Sequence, residues 1–106
     1  MNEALAALHQ LTSQFHPLQR AEWDAFAGIW SPFSAKRKEQ LTLAGEPERF
    51  IYFVLSGIQR VYFSDGAKEA TLVFTYAHSF GGVLDSLLMQ QPSRYYYETL
   101  SPSEFL

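Results

Sequence analysis

Apolar residues recur at helical spacing at the start of the chain. Leu5, Leu8, Leu11 and Phe15 form one stripe along residues 2–15, with alanines between them, which predicts an amphipathic helix. Pro17 interrupts the stripe. Because proline is tolerated in a first helical turn, it opens a second helix on which Leu18, Trp23, Phe26 and Ile29 share a face. Both stripes need a surface to dock on. From Trp30 the period changes. Leu41-Thr42-Leu43 is a short extended run closed by the turn signal Gly45-Glu46-Pro47, and Phe50 to Leu55 is an almost continuous apolar run broken by Ser56-Gly57. Val61-Tyr62-Phe63 leads into Ser64-Asp65-Gly66-Ala67, where Asp-Gly is the strongest short hairpin signal. Thr71 to Tyr76, centred on Leu72-Val73-Phe74, and Tyr95 to Thr99 are further predicted strands. Gly81-Gly82 and a short helix within Val83–Met89 lie between them.

Short strands parted by glycine-bearing turns predict a mostly β domain with flanking helices. The expected architecture is an antiparallel β-roll or jelly roll over residues 30–106, preceded by two N-terminal helices in residues 1–29. At the end, Ser101-Pro102-Ser103 is a turn and Glu104-Phe105-Leu106 reads as a strand just beginning. Residues 1–106 are therefore read as one domain whose roll is incomplete, a fragment of a longer protein. The edge left open by the missing strand is expected to drive self-association.

The 106 residues suffice for one small domain. With 47% hydrophobic and 18% charged residues the chain is not disordered, and 16% aromatics favour a sheet-rich core. Eight basic against eleven acidic residues give a net charge of −3, which argues against a free-standing nucleic-acid binder. The absence of cysteine excludes disulfides, iron–sulfur clusters, cysteine-ligated zinc and a cysteine nucleophile, and fits a cytoplasmic protein. No run approaches the roughly 20 apolar residues of a membrane span. The first residues carry Glu3 and lack the basic segment of a secretion signal.

Several segments together resemble the cyclic-nucleotide-binding-domain superfamily, specifically the sensor half of Crp/Fnr-type transcription regulators. They are Leu43-Ala44-Gly45-Glu46, the run Ile51 to Tyr62, Asp65 to Glu69, Phe80-Gly81-Gly82, Asp85-Ser86-Leu87-Leu88 and Pro92-Ser93-Arg94. Their order and spacing match from about Trp30 to the end, and the two helices fit as well. The resemblance implies a β-roll whose glycine turn cradles a cyclic phosphate. A glutamate just after that glycine would bind the ribose, and an arginine on the next strand would pair the phosphate. Here the pattern departs. If Gly81 is the family glycine, Gly82 holds the glutamate position; if Gly82 is, Val83 holds it. Counting back along Tyr95 to Thr99 places Ser93 in the arginine slot and turns Arg94 outward, whereas a shift of one residue turns Arg94 inward. The expected function is non-catalytic ligand sensing with an effector other than cAMP. The candidate site is Gly81, Gly82, Val83, Ser93 and Arg94, able to hold a small anion such as a carboxylate or phosphate metabolite. In the family a long helix and a helix-turn-helix follow the roll. Contact with DNA is expected only through that element, which lies outside these 106 residues.

The remaining chemistry is sparse. Gly45, Gly57 and Gly66 are read as structural, whereas Gly81-Gly82 precedes a helix start. His9, His16 and His78 have no metal-ligand spacing, and His78 is read as a turn residue rather than a haem ligand. Lys36-Arg37-Lys38, followed at once by Glu39, is read as solvated surface. Alternation sends Tyr95 and Tyr97 into the core and Tyr96 to the other face. No serine sits in a nucleophile elbow, so no catalytic residue is assigned, and neither metal nor other cofactor is expected. Two alternatives stand beside ligand sensing: a metal-dependent enzyme on a cupin-like roll, and an interaction module whose pocket has decayed.

Overall fold

The computed structural model describes residues 2–106, except the side chains of Asn2, Leu84 and Asp85. Two helices come first, α1 (Asn2–Phe15) and α2 (Arg20–Ala27). The second starts later than Pro17 suggests. Its entry is set by the Glu22 carboxylate, which accepts the Gln19 amide at 2.9 Å and so satisfies one of the free N–H groups of the first turn. Ile29 falls beyond the helix and is exposed, so the docking face of α2 is Trp23 and Phe26.

Eight antiparallel strands follow: β1 (Phe33–Ala35), β2 (Gln40–Thr42), β3 (Tyr52–Ser56), β4 (Gln59–Ser64), β5 (Glu69–Thr75), β6 (Phe80–Gly81), β7 (Tyr96–Thr99) and β8 (Ser103–Phe105). Helix α3 (Leu84–Met89) is inserted between β6 and β7. One sheet has the order β1-β8-β3-β6 and the other β2-β7-β4-β5. The hairpin between β4 and β5 forms as the Asp-Gly signal predicts. Gly66 takes φ +92°, and the Asp65 carboxylate accepts the amides of Ala67 and Lys68 at 2.9 and 2.8 Å. Those two donors, Lys68 first, hold the Asp65 carboxyl below the usual carboxylate range.

The period-two alternation of β3 divides the core. Tyr52 and Val54 face the interior of the roll with Ala35, Val61, Val83, Tyr97 and Phe105. Phe53 points the other way and packs with Leu8, Trp30 and Leu106, where the two helices dock. Burial of these side chains is what holds helices of 14 and 8 residues in place, since such lengths are marginal on their own. Tyr97 is buried and Tyr95 packs on the interior cluster, while Tyr96 stacks on Tyr62 across the outer face at 5.1 Å.

The end of the described chain differs from its sequence reading. β8 is not a strand waiting for a neighbour. It lies between β1 and β3, with Phe33 opposite Phe105 on one side and Val54 opposite Phe105 on the other. Phe105 and Leu106 are buried rather than exposed, and Leu106 exchanges both backbone hydrogen bonds with Phe53. The free sheet edges are instead β1, β6, β2 and β5.

Candidate functional site

The turn between β6 and α3 is built on close approaches that only glycine permits. A Cβ on Gly81 would stand 2.1 Å from the Tyr97 hydroxyl, so the aromatic strand β7 and the backbone of β6 touch directly. Gly82 adopts φ +107°, and a Cβ there would press on the Phe50 carbonyl at 3.1 Å. Behind this turn lies Glu48, a loop residue that is buried. Its carboxylate accepts the hydroxyl of Thr42 and the amides of Phe50 at 3.2 Å and Val83 at 3.5 Å. The Glu48 backbone N–H in turn donates to Ser86 on α3 at 3.0 Å. A negative charge from the β2–β3 loop therefore braces the turn from behind.

On its other side the turn opens onto a cavity of about 290 Å³. Val61, Phe80, Gly82, Val83 and Tyr95 line it, and the half-exposed Leu72 and Val73 of β5 stand at its mouth. The mouth depends on a β-bulge. Val61 is opposite Val73 but Tyr62 is opposite Thr71, which leaves Leu72 as an extra residue. Leu72 and Val73 consequently both line the cavity, while Thr71 stays on the outer face within reach of Arg60. Thr75 completes the lining, and its hydroxyl is already engaged. It donates to Gln59 at 2.7 Å and meets the Tyr97 hydroxyl at 2.8 Å. Gln59 continues the network to Ser103 on β8 at 2.9 Å. Burial, and then the Glu48 charge, push the Tyr52 and Tyr97 hydroxyls up to about 12.

The five residues singled out in the sequence are not brought together. Gly82 and Val83 line the cavity, and Gly81 lies just behind it against Tyr97. Ser93 is buried, but its hydroxyl is spent on the turn that leads into β7, donating to the Tyr95 carbonyl at 2.7 Å and accepting the Tyr95 amide at 3.0 Å. Its backbone is pinned to the Gly45-Glu46 turn by two hydrogen bonds of 2.8 Å. Arg94 is exposed and lines no part of the cavity. Glu48 escaped sequence reasoning, because an acid between Pro47 and Arg49 has the look of a surface loop.

Elsewhere, His78 takes a left-handed turn conformation, φ 65°, and its ring stacks on Phe53 at 5.9 Å. Lys36, Arg37 and Lys38 are exposed, with Lys38 3.7 Å from Glu98. Among the described residues no three His, Asp or Glu side chains gather as metal ligands, and no helix is long and apolar enough to cross a membrane.

No protein-family model and no curated protein matches the sequence. Among solved structures, the chain is similar to the catabolite activator protein of Thermus thermophilus. The two are 22% identical with a TM-score of 0.71, covering 86% of this chain and 43% of that one. A cyclic nucleotide-binding domain from Methylobacillus flagellatus aligns at 17% identity and TM-score 0.81 over 97% of this chain and 60% of its own. The sensor domain of the transcriptional regulator DNR from Pseudomonas aeruginosa does so at 16% and 0.77, over 95% and 70%. The antiparallel roll with two N-terminal helices is thus the fold of cyclic-nucleotide-binding domains, as the sequence resemblance implied. The chain spans less than two thirds of the length of the first two of these structures.

Proposed function

We propose that this chain is the non-catalytic, ligand-sensing domain of a Crp/Fnr-type transcription regulator and that its effector is not cAMP. One observation carries the second half. The cavity beside the Gly82 turn has no charged side chain in its lining, and Arg94 stands outside it. A cyclic phosphate would give up its hydration there without a guanidinium or ammonium to replace it. The domain works in the cytoplasm without metal, haem or cluster, and DNA is reached through a helix-turn-helix beyond residue 106. Self-association uses the edge strand β5, all but one of whose residues are exposed.

The interaction-module reading has one observation in its favour: Phe74 and Tyr76 lie exposed at 56% and 63% on and just after that edge. Titration calorimetry with cAMP and cGMP tests the proposal, the expected result being no binding tighter than millimolar. Micromolar binding of either nucleotide would overturn the assignment of the effector. Stoichiometric retention of a transition metal together with turnover of a substrate would overturn the non-catalytic part.

A further inference from the structure

We infer that the cavity beside the Gly82 turn takes a small, uncharged, largely apolar effector, an inference that rests on the sensing function proposed above. Its walls are Val61, Leu72, Val73, Phe80 and Val83; of the two hydroxyl-bearing side chains in the lining, Thr75 and Tyr95, the Thr75 hydroxyl is committed to Gln59 and Tyr97. An anion finds no counter-charge there and meets an opposing one. The Glu48 carboxyl carbon lies 3.8 Å from where a Gly82 Cβ would be, and its oxygens already take the Val83 amide that an incoming anion would use. Helix α3, six residues long, adds no anion site of its own. A cation fares no better, because no acid lines the cavity and the Glu48 oxygens are engaged by Thr42, Phe50 and Val83. What remains favourable is apolar surface leaving water. The volume of about 290 Å³ is roughly twice the ~150 Å³ that holds benzene in a dry cavity, so a molecule of two fused rings fits.

Amide chemical-shift titrations of the 106-residue chain with four probes test this: indole, its anionic analogue indole-3-carboxylate, the cationic tryptamine, and cAMP. The expected result is saturable shifts of Val61, Val73, Gly82 and Val83 with indole, and binding at least tenfold weaker for every charged probe. Val73→Trp, at a half-exposed position in the mouth, is expected to abolish the indole shifts, and Leu72→Trp to do the same if the first variant folds poorly. Tighter binding of indole-3-carboxylate or cAMP through the same amides would overturn the uncharged class while leaving the sensing function intact. Tighter binding of tryptamine would do likewise and point to Glu48. If no probe of any charge moves these amides, both the effector class and the sensing function fail.

Discussion

Replacing Gly81 by alanine places a methyl group 2.1 Å from the Tyr97 hydroxyl and 2.9 Å from its Cζ. The ring has nowhere to go. Tyr97 has no exposed surface, lies 5.7 Å from the Tyr52 ring, and is held by its 2.8 Å contact with Thr75. Either the β6 backbone retreats from β3, or the hydroxyl leaves Thr75. Overpacking of this kind costs about 1–3 kcal/mol. Losing the hydrogen bond adds about 0.5–1.5 kcal/mol. Gly81→Ala is therefore expected to destabilise the domain by about 2–4 kcal/mol, a large part of a typical stability of about 5–15 kcal/mol. Tyr97→Phe removes the oxygen that collides first and leaves only the 2.9 Å approach to Cζ, a smaller clash that a shift of roughly half an ångström relieves. The double variant should then be more stable than the sum of the two singles by about 1 kcal/mol or more. Urea unfolding followed by Trp23 and Trp30 fluorescence and by circular dichroism measures all four proteins. A loss below about 0.5 kcal/mol in Gly81→Ala, or strict additivity in the double variant, would refute the contact as the reason for glycine at this position.

Raised hydroxyl pKa values at Tyr52 and Tyr97 mean that the folded state keeps both protons to about pH 12, whereas the unfolded chain releases them near 10. Their contribution to stability is complete below pH 10 and lost between 10 and 12; an ultraviolet titration in which all six tyrosines ionise together near 10 while the chain stays folded would contradict it. Glu48→Ala strands the Thr42 hydroxyl and the Phe50 and Val83 amides, and a loss of about 2–4 kcal/mol is expected by urea unfolding. Glu48→Gln, which keeps an acceptor oxygen, should lose less; equal losses would show that the charge rather than the hydrogen bonding holds the turn. Arg60 binds Glu98 at 3.2 Å and Glu69 at 3.0 Å and covers the Tyr62 ring at 3.9 Å. Arg60→Met should cost about 1–3 kcal/mol because Glu98 is buried, and a neutral result by the same assay would remove the cluster from the forces that hold β4, β5 and β7.

Features that follow from local chemistry were legible before any coordinates. The Asp65-Gly66 hairpin, the helix stripe through Leu5, Leu8 and Leu11 and the alternation of Tyr95, Tyr96 and Tyr97 all depend on neighbours within a few residues and stand as read. Phe15, expected at the end of that stripe, is instead 77% exposed and takes no part in the docking face. β1 and β6 were illegible because three and two residues are too short to show a period. They are strands only because β8 and β3 supply partners. The first two residues of the apolar run from Phe50 lie outside β3, since Phe50 is tied to Glu48 instead of a neighbouring strand. At the site, the glycine turn is legible in the adjacent pair Gly81-Gly82 and in the resemblance that this pair helps to carry. The bulge at Leu72 and the inward course of Glu48 are not, because both are set by contacts with residues distant in sequence. The burial of Leu106 was missed for the same reason: its partner is Phe53.

The position of β8 between β1 and β3 also governs the order in which the chain acquires structure during synthesis. Phe33 meets its partner Phe105 across 72 positions, and until Ser103 to Phe105 have left the ribosome β1 has no strand to bond with. The hairpin of β4 and β5 closes through contacts a few residues apart and assembles early. Leu8, Trp30 and Phe53, which require Leu106 beside them, acquire a complete shelter only after translation has passed it. A nascent chain halted before β8 thus leaves its helix-docking surface without the cover of Leu106. Closure of these distant pairs is the kind of step that is slow in folds dominated by non-local contacts.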